Sequence, residues 1–177
     1  MSESLGSGRA VASDLAGGRS ASLTYRTPRR SDRRGVKEVV EATAVFRPDE
    51  IEVALEVFDG YCAAPGVDYH AIAAYAEDRL AGFAFFGPAP CTVNTWDLYW
   101  LAVHPAFQGH GAGRGLVERV ERRMREGNAR LSVIETSSRE DYRTTRGFYV
   151  RSGYREVARV PGFYAEADDR VTYIKRL

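Results

Sequence analysis

Leu101-Ala102-Val103-His104-Pro105-Ala106-Phe107-Gln108-Gly109-His110-Gly111-Ala112-Gly113-Arg114-Gly115 decides how this chain is read. An apolar run stops at His104-Pro105, a glycine-dense loop follows, and the loop opens into an amphipathic pattern. Gly109, Gly111, Gly113 and Gly115 stand at alternate positions. Glycines leave backbone N–H groups uncovered, and such groups at a helix N-terminus make a site for phosphate. Each glycine also costs backbone entropy, up to about 1 kcal/mol against alanine in regular structure. A turn that binds nothing would not need so many, so the loop predicts a phosphorylated cofactor.

Outward from the loop, the pattern gives alternating elements. Residues 96–103 read as a strand feeding the loop. Leu116, Val117, Val120 and Met124 form one helical stripe after it, with Glu118–Arg122 and Glu121–Arg125 as i,i+4 pairs on the other face. Gly127-Asn128 ends that helix. A strand at 131–136, a helix at 143–151 and strands at 154–160 and 171–174 follow. An acidic loop with an aromatic pair, 161–169, lies between the last two and reads either as a solvated loop or as the mouth of a binding site. Upstream, 23–27 reads as a short strand. Ser31-Asp32 caps a helix through Val36, Val39 and Val40 toward Phe46. Pro48-Asp49-Glu50 opens a second helix whose apolar residues are Ile51, Ala54, Leu55 and Phe58. Residues 69–75 and 80–86 form a hairpin around Glu77-Asp78-Arg79. The order β, α, α, β, β, β, α, β, α, β, β predicts an α/β fold. Its central sheet is mixed and largely antiparallel, with helices on its flanks and one parallel, right-handed crossover near the middle.

Composition narrows the classes. The chain has 177 residues, enough for one domain with one sizeable core, and we place that domain at 23–177. Residues 1–22, rich in Gly, Ser and Ala, read as a disordered tail. A formal net charge of +1 gives no global pull toward nucleic acid or a membrane, and the arginines between Arg26 and Arg34 are a weak signal for nucleic acid. No apolar run approaches the ~18 residues that span a bilayer. Cys62 and Cys91 form no C-x-x-C and suit reduced thiols in a cytoplasmic protein. His70, His104 and His110 show no metal-ligand spacing, so no metal is expected.

The spacing of the loop then separates the phosphate sites. A P-loop needs Lys after its last glycine, and this chain has none there. A dinucleotide fingerprint, G-x-G-x-x-G, fails because Arg114 or Leu116 stands where the last glycine is required. Gln108-x-x-Gly111-x-Gly113 remains, directly after a strand and before an amphipathic helix. With the strand 98–105 and the later Arg146-Gly147-Phe148-Tyr149-Val150-Arg151-Ser152-Gly153-Tyr154, it resembles the GCN5-related N-acetyltransferase (GNAT) superfamily. The matches cover about 96–157, and the upstream element order suits the same fold.

The resemblance implies an acetyl-CoA-dependent N-acetyltransferase acting on a primary amine of a small molecule or peptide, by direct attack and without a covalent enzyme intermediate. Gln108, Gly109, His110, Gly111, Ala112, Gly113 and Arg114 would cradle the pyrophosphate. Backbone groups of Leu101, Ala102 and Val103 would run beside the pantetheine, where the strand splays from its neighbour, and one could serve the oxyanion. Tyr149 would give a proton to the departing thiolate; a phenol, with a reference pKa near 10, holds its proton at neutral pH. Glu135 is the expected base, because a carboxylate near the end of a buried strand needs a task or a partner. Asp97 competes for that role, as does a water chain. Family members often carry an Asn after the glutamate-bearing strand. Here Arg139-Glu140-Asp141-Tyr142 stands in its place, so Ser138 or Tyr142 is the expected substitute. A non-catalytic acyl-CoA sensor or interaction module is the alternative reading, and a homodimer is left open.

Overall fold

The structure is a computed structural model, and it describes residues 22–177. The expected tail therefore lies outside the described residues, save for Ser22. Eleven elements follow the expected order: β1 (Leu23–Arg26), α1 (Arg33–Thr43), α2 (Pro48–Ala63), β2 (His70–Ala76), β3 (Arg79–Pro88), β4 (Thr95–Val103), α3 (Ala112–Glu126), β5 (Leu131–Ser137), α4 (Arg143–Arg151), β6 (Arg155–Ala165) and β7 (Asp168–Arg176). Seven strands form one sheet, β1-β2-β3-β4-β5-β7-β6, in which β4 and β5 are parallel and every other pair is antiparallel.

Both faces of the sheet are covered, so its central strands are apolar on both sides. Along β3, Phe83 and Phe85 turn toward α1 and α2, where they meet Val36, Val39, Val40 and Phe58. Ala84 and Phe86 turn the other way, toward Leu116, Val120 and Met124 of α3. The stripe expected for α3 is this buried face. Burial of such side chains contributes about 1.5–3 kcal/mol each relative to exposure.

Several local expectations need correction. The first helix stops at Thr43 rather than running on to Phe46, because Ala44 turns left-handed at φ 56° and breaks the ladder. Asp32 stands at the N-cap of α1 as expected, but its carboxylate accepts from the Arg29 N–H and the Tyr75 hydroxyl, both at 2.7 Å, and makes no bond to the helix. The segment expected as an acidic loop is mostly strand: Pro161 to Ala165 continue β6, and the chain reverses at Glu166-Ala167. On α3, Glu118 pairs with Arg114 at 2.8 Å rather than with Arg122. Glu121 is not on a solvated face but 5% exposed, held by Lys175 of β7.

The feature that opens a site is the parallel pair. β4 and β5 are in register only at Thr95↔Leu131, Trp96↔Ser132 and Asp97↔Val133. A β-bulge lies just beyond: Phe85 pairs with Trp100 and Phe86 with Leu98, leaving Tyr99 as the extra residue on β4. A bulge bends its strand and sharpens its twist. β4 therefore stays with β3 as far as Val103 and parts from β5 after Asp97.

Candidate active site

The wedge between the parted strands becomes a cleft of about 1230 Å³. It crosses the sheet. On one face it meets the start of α3 and the residues Phe148 and Tyr149 of α4. On the other it meets Phe46, Glu50, Trp100 and Glu135, with Tyr164 and Asp168 from the β6–β7 hairpin. Leu101, Ala102 and Val103 line it, and the β4 edge that faces β5 has no ladder partner there. Apart from the Val103 carbonyl, which takes the Gln108 amide, the N–H and C=O groups on that edge are available to a ligand.

The glycine loop sits at the α3 end. Gly109 and Gly111 are left-handed, at φ 77° and 85°, a region that favours glycine, and nothing would meet a Cβ at either within 4 Å. The Gln108 side-chain amide donates to the Val103 carbonyl at 2.9 Å and ties the loop to the end of β4. Gly111 occupies the N-cap with no side chain to satisfy the helix, and the first backbone bond closes from the Gly115 N–H to the Gly111 carbonyl at 2.9 Å. The N–H groups of Ala112, Gly113 and Arg114 precede that bond, at the positive end of the helix dipole. Gln108, Gly109, Gly111, Gly113 and Arg114 line the cleft; His110 turns its Nδ1 to the Gln108 carbonyl instead. Gly115 has a different reason to be glycine. A Cβ there would collide with the Tyr25 ring of β1, on which the Arg119 guanidinium stacks at 3.6 Å.

Tyr149 lies in the cleft wall, buried among Phe148, Tyr154 and Tyr173. Its hydroxyl makes no hydrogen bond to a described residue. Burial raises its pKa well above the phenol value, with Tyr154 and Tyr142 adding to the shift, so the group stays protonated. Tyr154, the aromatic that closes the motif, is also buried but spends its hydroxyl on Ser132 at 3.0 Å.

Two carboxylates approach one another across the parting strands. Glu135 lines the cleft from β5 and meets Arg170 Nη1 at 3.4 Å. Asp97 is half-buried on β4, and burial, followed by the charge of Glu135, raises its pKa. Asp97 itself does not line the cleft.

Beyond β5 the two expected pantetheine contacts separate. Tyr142 lines the cleft, its ring edge-on to Phe46 at 6.4 Å, with its pKa raised chiefly by burial. Ser138 does not line it: its hydroxyl accepts from the Asp169 N–H at 2.8 Å. Ser137, one residue earlier, faces the cleft and donates to Asp168. Sequence reading missed Phe46, Trp100 and Ser137 as site residues, and held Asp168 only as one member of the acidic segment 161–169. The Phe46 and Trp100 rings, from distant elements, meet tilted with centroids 4.9 Å apart, and no local spacing announces that meeting.

Among the described residues no group of three or more His, Cys, Asp or Glu could hold a metal ion, and no helix is long and apolar enough to cross a membrane.

Comparison with known proteins places this geometry. The model of the acetyltransferase (GNAT) family matches residues 38–154. A GNAT-family protein from Desulfovibrio desulfuricans is 37% identical, with 88% of this chain and 99% of that chain aligned and a TM-score of 0.84. The ribosomal-protein-S18-alanine N-acetyltransferase of Escherichia coli shares 16% identity over 88% of this chain and 94% of its own, at a TM-score of 0.71. The PaiA N-acetyltransferase of Thermoplasma acidophilum, solved in complex with coenzyme A, shares 16% over 88% and 99%, at 0.67. The last two likenesses speak for the fold alone. No curated protein matches.

Proposed function

This chain belongs to the GNAT acetyltransferase family, and from that premise we propose that it transfers the acetyl group of acetyl-CoA to a primary amine by direct attack. One observation carries the reading: a parted parallel strand pair, a helix N-terminus without a side-chain cap and a protonated, hydrogen-bond-free tyrosine open onto one cleft. The Thermoplasma acidophilum protein of the same fold was solved with coenzyme A, the product left when acetyl-CoA gives up its acetyl group.

The N–H groups at the start of α3, with Gly109 and Gly111 leaving open space, hold the pyrophosphate. The free edge of β4 at Leu101, Ala102 and Val103 pairs with the pantetheine amides, and an N–H of that edge polarises the thioester carbonyl. The neutral amine attacks the carbonyl carbon; the C–N bond forms and the C–S bond breaks. Glu135 takes the amine proton, with Asp97 behind it as a second carboxylate. The Tyr149 hydroxyl gives its proton to the departing thiolate.

The test is thiol release from acetyl-CoA across a panel of primary amines, with Glu135→Gln and Asp97→Asn beside the wild type. The proposal expects turnover with at least one amine and a loss in Glu135→Gln greater than in Asp97→Asn. Coenzyme A binding by calorimetry with no turnover on any amine would overturn it in favour of an acyl-CoA sensor.

A further inference from the structure

Glu50, Glu135 and Asp168 are among the carboxylates that line the cleft. Cations answer the first two. Arg47 Nη2 lies 3.7 Å from Glu50 Oε1, and Arg170 Nη1 lies 3.4 Å from Glu135 Oε2. Asp168 is different. It is only 4% exposed, yet it forms no ion pair with a described residue. Its Oδ1 is fixed by the Ser137 hydroxyl at 2.5 Å and the Ser138 N–H at 3.1 Å. Its Oδ2 accepts no hydrogen bond from a described residue, while the residue lines the cleft. A buried carboxylate held by neutral donors on one oxygen, and left open on the other, is costly unless a cation meets it.

The surroundings suit an organic cation. Strand alternation puts Asp168 on the same side of β7 as Arg170 and Thr172, and Thr172 pairs with Glu135. The rings of Phe46, Trp100, Tyr142 and Tyr164 line the same cleft, with Phe46 and Trp100 4.9 Å apart. Aromatic faces attract ammonium groups, the more so when water is excluded.

The amine that is acetylated must be neutral when it attacks, so its own charge is transient. A carboxylate fixed by two donors serves a charge that persists through the reaction. We propose that Asp168 binds a second cationic group of the acceptor, so that the acceptor class is diamines and polyamines. The inference rests on the amine acetylation proposed above. Asp168 acts here as a specificity residue, and the alternative that it takes the proton of the reacting amine is an outcome of the test.

The test reads binding apart from chemistry. Protein saturated with coenzyme A is titrated by calorimetry with 1,4-diaminobutane, 4-amino-1-butanol and n-butylamine. The diamine should bind about tenfold or more tightly than either monoamine, as a hydrogen bond to a charged group implies. Asp168→Asn keeps an oxygen for Ser137 and Ser138 but removes the charge, and should erase that preference. Equal binding of the three ligands by the wild type overturns the proposal without any variant. So does a preference that survives in Asp168→Asn with coenzyme A binding intact. In turnover, the variant should raise KM for the diamine about tenfold while kcat stays within a few-fold; a loss confined to kcat, with a shifted pH profile, would make Asp168 the base instead. Failure of the amine acetylation reading shows separately, as absence of thiol release on any amine while diamine binding persists.

Discussion

Lys175 Nζ lies 2.7 and 2.8 Å from the two carboxylate oxygens of Glu121 and 2.8 Å from the Ser152 carbonyl, so one ammonium ties α3, β7 and the end of α4 together in the cleft wall. All three of its donors are spent, and Arg125 adds a weaker contact to Glu121 at 3.4 Å. Breaking a buried pair leaves an unpaired charge and costs about 3–5 kcal/mol, whereas replacing both partners by apolar groups is often neutral. Lys175 is partly exposed, so the lower end applies. Glu121→Ala should therefore lose about 3 kcal/mol in urea unfolding, and Glu121→Leu with Lys175→Met should recover most of that loss. A double variant as unstable as the single would show that packing, not charge, governs the position.

The alternate glycines should divide into two classes when changed to alanine. At Gly111 a Cβ meets open space but the backbone is left-handed, so Gly111→Ala should cost about 1 kcal/mol of strain and weaken coenzyme A binding. Gly115→Ala meets the Tyr25 ring and should lose about 1–3 kcal/mol by overpacking. Its direct effect on coenzyme A should be small. Thermal unfolding and calorimetry on the two variants separate the cases. The Gly115→Ala loss should shrink when Tyr25 is replaced by Leu, and no such rescue should reach Gly111→Ala.

Tyr149→Phe should separate chemistry from stability. The hydroxyl reaches the cleft and has no hydrogen-bond partner among the described residues, so removing it breaks no contact within the protein. The variant should unfold at the wild-type temperature or above it. Its kcat should fall about 10²-fold, as loss of a general acid implies, with KM for acetyl-CoA little changed. An unfolding temperature several degrees lower would instead assign the hydroxyl a structural task.

The physics of these sites explains what can be read from the chain. The α3 stripe and the Gln108-x-x-Gly111-x-Gly113 spacing are local, so periodicity and loop chemistry find them. Glu121 reads as part of a solvated face because the i,i+4 rule sees only its own helix; its partner Lys175 lies 54 positions later. Gly115 reads as one more cradle residue because Tyr25, which requires it, belongs to the far edge strand. Asp168 stands in a polar stretch that resembles a solvated loop. Its burial comes from register across the sheet, where Ser137 of β5 faces Arg170 of β7. Long-range pairing of this kind leaves no trace in the spacing of neighbouring residues.

Asp97 should make stability depend on pH in a defined direction. Its pKa in the folded protein is raised, first by burial and then by the charge of Glu135. The folded state therefore holds the proton more tightly than the unfolded chain, where an aspartate titrates near 3.9. Below that value both states are protonated and the position costs nothing in charge. As pH rises through the folded pKa, the folded state acquires a desolvated carboxylate and stability falls. Asp97→Asn, which never ionises, should thus unfold at a higher temperature than the wild type at pH 7, and the gap should close on acidification toward about pH 4. Glu135→Gln removes the second cause but not the first. In that background the gain from Asp97→Asn at pH 7 should be smaller and still present, because burial remains. A gain that vanishes in the Glu135→Gln background would mean that repulsion between the two carboxylates, rather than desolvation, dominates the site. A wild type that is more stable than Asp97→Asn at pH 7 would reverse the sign and show that the carboxylate has a cationic partner.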